Sequence, residues 1–119
     1  MNQEAEEYKI GLKIEDMMLY AYPVIRQFPK SEKFTLGADI RNLMDEILGY
    51  AVAARKKYTK KTTLEHLDIA NEKLQVYIRI ANRLHIISDH TYGVWSGYCA
   101  EIGKMIGGWM KTVSYKSQS

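Results

Sequence analysis

Apolar side chains return every third or fourth residue through four stretches of about twenty residues, with only short breaks between them. That period belongs to the α-helix, and a chain striped in this way must bury each stripe against the others. The first stretch, residues 8–28, carries Ile14, Met17, Met18, Ala21, Ile25 and Phe28 on one face. Pro23 lies inside it on the opposite face, where its ring and missing N–H predict a kink rather than an end. Phe28 stands directly before Pro29, a position biased out of the helical region, so residues 28–33 read as a break.

The second stretch, residues 35–57, has Leu36, Ile40, Leu43, Ile47, Tyr50, Ala51 and Ala54 as its stripe and Thr35 as its expected N-cap. The third, residues 63–84, buries Leu67, Ala70, Leu74, Tyr77, Ala81 and Leu84. Thr62 or Thr63 would cap it, and Thr62 with Glu65 spells a capping box. A second apolar stripe on this stretch, Ile69, Val76, Ile80 and, if the helix runs on, Ile87, calls for a wide buried face or contact with another subunit. The fourth stretch, residues 89–111, is capped by Ser88 or Asp89 and presents Tyr92, Trp95, Cys99, Ile102, Ile106 and Trp109. Of its glycines, Gly93, Gly97, Gly103, Gly107 and Gly108, the four-spaced pairs 93/97 and 103/107 would admit a neighbouring helix closely. The polar tail 112–119 is expected to fray.

Helices of this length are about 30 Å long, and breaks of a few residues join antiparallel neighbours. The expected fold is therefore all-α: an up-down-up-down antiparallel four-helix bundle forming a single domain over residues 1–119. No apolar run reaches the ~18 residues of a membrane span. The acidic amino terminus lacks the apolar core of a secretory signal. A single cysteine, Cys99, fits a reducing, cytoplasmic setting.

The net charge of +3 hides an imbalance. Residues 1–54 hold six Lys/Arg against nine Asp/Glu, whereas residues 55–119 hold eleven against five. Arg55, Lys56, Lys57, Lys60 and Lys61 crowd seven positions with no acid among them. Lys73, Arg79, Arg83 and Lys104 continue the bias. Arg79 and Arg83, one turn apart, have no acid three or four residues away on either side. Clustered cations of this kind suit a polyanion, and arginine's planar fork suits phosphate. The same surface could also be a solvated basic face.

Catalytic chemistry has little to work with. His66, His85 and His90 show neither His-x-x-x-His nor Glu-x-x-His spacing, so no metal site is expected. No glycine-rich loop follows a strand, so no phosphate cradle or cofactor is expected. Cys99 falls on the apolar stripe and reads as a packing thiol, and Glu101 with Lys104 reads as a surface ion pair.

Two motifs are familiar. Phe28-Pro29-Lys30-x-x-Lys33-Phe34-Thr35-Leu36-Gly37 resembles the first interhelical junction of a bacterial four-helix-bundle family. Glu101-Ile102-Gly103-Lys104-Met105-Ile106-Gly107-Gly108-Trp109 resembles that family's closing motif. The third stretch ends on Ile-Arg-Ile-Ala-Asn-Arg-Leu, which is also similar, and the likeness covers almost the whole chain. This family holds the accessory variability determinants of diversity-generating retroelements and the proteins of ribosomal-RNA intervening sequences. The chain is most similar to the former. The resemblance implies a non-catalytic homopentamer with a basic, barrel-like surface. It also implies binding of the element's reverse transcriptase and of RNA or DNA, in support of mutagenic cDNA synthesis and retrohoming. Arg79 and Arg83 match the family's basic positions. Lys30, Lys33 and Lys104 stand where arginine is common, which keeps the charge and loses the bidentate grip.

Three other readings compete: an RNA-binding intervening-sequence protein with no polymerase partner, an oligomerisation module whose charge serves solubility, and a small enzyme.

Overall fold

Four long helices and one single-turn helix make up the computed structural model, which describes the backbone of residues 3–118 and the side chains of residues 6–113. They are α1 (Gln3–Arg26), α2 (Lys30–Lys33), α3 (Leu36–Lys56), α4 (Lys61–Arg83) and α5 (Asp89–Gln118), with no strand among the described residues. Each long helix packs on its neighbour in sequence, and α5 closes the bundle against α1. The result measures 51 × 22 × 20 Å, two helices wide in each short direction. This is the four-helix bundle that the periodicity predicts.

The stripes are the core. Ile14, Met17, Ala21 and Ile25 of α1 meet Ile40, Leu43, Ile47, Ala51 and Ala54 of α3, and all are buried. Leu67, Leu74 and Ala81 of α4 and Trp95, Cys99, Ile102 and Ile106 of α5 complete it. Leu84 departs from expectation: α4 ends at Arg83, and the leucine beyond it is 59% exposed. Ile78 and Leu64, both fully buried, carry the core instead, and Tyr77 packs half-buried at its edge. Met44 is a further buried residue that the stripe on α3 omits.

Several boundaries move. α1 begins at Gln3 rather than near Tyr8 and runs unbroken through Pro23. The break after Phe28 contains α2, whose turn closes where the N–H groups of Glu32 and Lys33 donate to the Pro29 carbonyl at 2.8 and 2.9 Å. Thr35 precedes α3 but does not cap it, because its hydroxyl turns back to the carbonyls of Ser31 and Glu32. α4 starts at Lys61, which puts Thr62 and Thr63 inside the first turn and leaves the expected capping box unformed. Ser88 does cap α5, accepting a hydrogen bond from the Thr91 N–H at 3.1 Å. α5 then continues to Gln118, so the segment expected to fray is helical up to there. Ser119 lies outside the described residues.

Four of the five glycines of α5 admit no close neighbour among the described residues. A Cβ at Gly93, Gly97, Gly107 or Gly108 would meet nothing within 4 Å. Gly103 alone among them faces a packed group, the Asn71 amide. In α3, Gly37 is the close fit, where a Cβ would stand 3.2 Å from Ile25 and 3.3 Å from the Glu32 carbonyl.

Candidate nucleic-acid interface

Antiparallel packing sorts the cations by end. Arg55, Lys56, Lys57, Lys60 and Lys61 gather where α3 turns into α4, whereas Arg79 and Arg83 close the far end of α4. At 1.5 Å per residue, the length of α4 sets these groups about 30 Å apart. A single copy therefore carries two basic regions rather than one surface.

At the α3–α4 turn, part of the charge is spent on the fold. Lys60 Nζ donates to the carbonyls of Ala54 at 2.6 Å and Arg55 at 3.4 Å, satisfying the last carbonyls of α3. The same ammonium sits over the Trp109 ring, 5.8 Å from its centroid. Lys57 Nζ donates to Thr63 Oγ1 at 3.1 Å. Arg55 lies across α1, with its guanidinium 5.6 Å from the centre of the Tyr8 ring. Lys56 and Lys61 are exposed and make no ion pair among the described residues.

Between them stands Tyr58, 99% exposed at the tip of the turn. The site residues expected from the sequence do not include it. The signal that could have found it is an aromatic residue placed inside a basic turn, off every apolar stripe. The turn lines one side of a groove of about 820 Å³, with Glu7, Trp109 and Val113 also in its lining.

Arg79 and Arg83 are exposed on the outside of α4 and pair with no carboxylate among the described residues. Ile69 (63% exposed), Val76 and Ile80 run beside them, nearly opposite the buried face. Lys73 leans over Tyr77, with Nζ 5.8 Å from the ring centroid. Ile87 does not belong to this stripe. α4 has ended by then, and the side chain is buried in the core.

Lys104 shares the lining of a cavity of about 330 Å³ with Glu6 and Glu7, so carboxylates offset its potential. Its expected partner Glu101 pairs instead with Lys13 of α1 at 3.4 Å. Among the described residues, no three His, Cys, Asp or Glu side chains come together where a metal ion could sit. No described helix is long and apolar enough to cross a membrane.

A family model described as bAvd-like matches residues 9–113, a span that holds every cation discussed above. No curated protein matches the chain.

Proposed function

Since the chain belongs to the bAvd-like family, the accessory variability determinants, we propose that it is a non-catalytic accessory protein of a diversity-generating retroelement. In this role it binds the element's reverse transcriptase and nucleic acid in the cytoplasm and supports mutagenic cDNA synthesis and retrohoming. The single-domain bundle works as a homo-oligomer, a pentamer by family resemblance. Ile69, Val76 and Ile80 supply the contact between copies.

The observation that carries this reading is the pair Arg79 and Arg83. Two guanidinium groups stand one turn apart, exposed, with no carboxylate to neutralise them among the described residues. Such a pair costs an isolated helix roughly 0.2–0.5 kcal/mol and contributes nothing to the core. Phosphates would repay that cost by charge-assisted, bidentate hydrogen bonds. The exposed apolar stripe beside them adds to the argument, because subunit contact there would bring arginines of several copies together. Lys73, the cations of the α3–α4 turn and Lys104 extend the positive field.

The test is binding of RNA across a salt series by wild type and by the Arg79→Ala/Arg83→Ala double variant. The variant is expected to bind more weakly and with a shallower dependence on salt, by roughly 0.7 in log–log slope for each lost contact to a single strand. Unchanged affinity and slope would remove both arginines from the interface.

A further inference from the structure

Tyr58 is the most exposed large apolar side chain of those described, and its surroundings are held in place. The turn that bears it is pinned on both sides by its own lysines, through Lys60 to the end of α3 and through Lys57 to Thr63. Fixing the turn in this way keeps the ring in water, where burying it would ordinarily contribute favourably. Lys56 and Lys61 flank it, exposed and paired with no carboxylate among the described residues. Tyr58 itself lines the groove of about 820 Å³, together with Trp109 and Val113.

We propose that this turn is a binding site for unpaired nucleic acid, in which Tyr58 stacks on a base and Lys56 and Lys61 hold the flanking phosphates. The inference rests on the nucleic-acid reading above and narrows it to single strands at one end of the bundle. Charge complementarity selects the occupant, since residues 55–61 carry five cations and no acid. The aromatic ring selects the strand state: in a duplex both faces of each internal base are already stacked, whereas an unpaired base offers a face to Tyr58. Among the described residues, Glu7 is the one carboxylate lining the groove. Its carboxylate repels phosphate and accepts hydrogen bonds from exocyclic amino groups, so bases face Glu7 and the backbone follows the lysines.

The experiment compares a labelled twelve-nucleotide single strand, as RNA and as DNA, with the matching duplexes. Each is titrated against wild type, Tyr58→Ala, Tyr58→Phe and Lys56→Ala/Lys61→Ala, with circular dichroism confirming the helical content of every variant. Tyr58→Ala is expected to weaken single-strand binding about tenfold, the order of one lost base stack, and to leave duplex binding unchanged. Tyr58→Phe keeps the ring and is expected to bind as wild type. The double lysine variant is expected to flatten the salt dependence. Wild-type affinity for single strands in Tyr58→Ala would overturn the site while leaving the broader reading intact, and so would an equal loss for strand and duplex. Displacement of the strand by polyglutamate of equal charge would overturn it too, by showing that charge alone is read. Failure of wild type to bind any of the four nucleic acids would overturn the broader reading itself.

Discussion

Asn71 of α4 donates its Nδ2–H to the Cys99 carbonyl of α5 across 3.0 Å, with both residues buried. Gly103 makes the room, since the amide nitrogen lies 3.4 Å from where a Cβ would stand. The other side of the amide, Oδ1, has no partner among the described residues. Replacing Asn71 with alanine removes one hydrogen bond and opens a cavity. The expected loss is about 1–3 kcal/mol, seen as a lower urea midpoint at constant slope. An unchanged midpoint would mean that relief of the orphaned oxygen cancels both losses.

His85 holds the turn after α4 in the left-handed region, at φ 60°. Its N–H donates to the Asn82 carbonyl and that of Ile86 to the Ala81 carbonyl, both at 2.9 Å, the pairing of a Schellman end. Glycine is the residue that this position ordinarily takes, because a Cβ is strained there. His85→Gly is therefore expected to stabilise the bundle by about 0.5–1 kcal/mol, and His85→Val to destabilise it by more than that. Thermal midpoints of the two variants moving in the same direction would refute the assignment.

Cys99 is a packing thiol, 3.7 Å from the Met17 sulfur, and burial pushes its pKa up to about 12 from 9.0. Below pH 9 the thiol is protonated in both folded and unfolded chains and adds no pH dependence. Between 9 and 12 the unfolded chain releases a proton that the folded chain keeps, so stability falls as pH rises. The stability gap between wild type and Cys99→Ala should stay constant up to about pH 9 and shrink above it. A gap that holds constant to about pH 11 would show that the thiol is not shielded.

The architecture was legible because long stripes of Ile, Leu, Met and Ala leave one economical way to bury themselves. Less legible was the exact azimuth of α4. Tyr77 and Leu84 continue the stripe as well as Ile78 does, and only the neighbouring helices decide between them. The caps were misread at Thr35 and Thr62 for a related reason. Threonine marks a helix start only when nothing else competes for its hydroxyl or for the preceding residues, and here α2 and Lys61 do. Of the candidate site, residue type and the cluster at residues 55–61 were readable, and which cations stay unengaged was not. Charge runs are linear in the chain, but Arg55 and Lys60 fold back onto Tyr8 and the end of α3, and Ile87 is drawn into the core.

Because α4 runs from one cationic end to the other, its length serves as a ruler. A strand touching both ends would have to cover roughly nine stacked nucleotides at 3.4 Å each, so shorter pieces engage one end at a time.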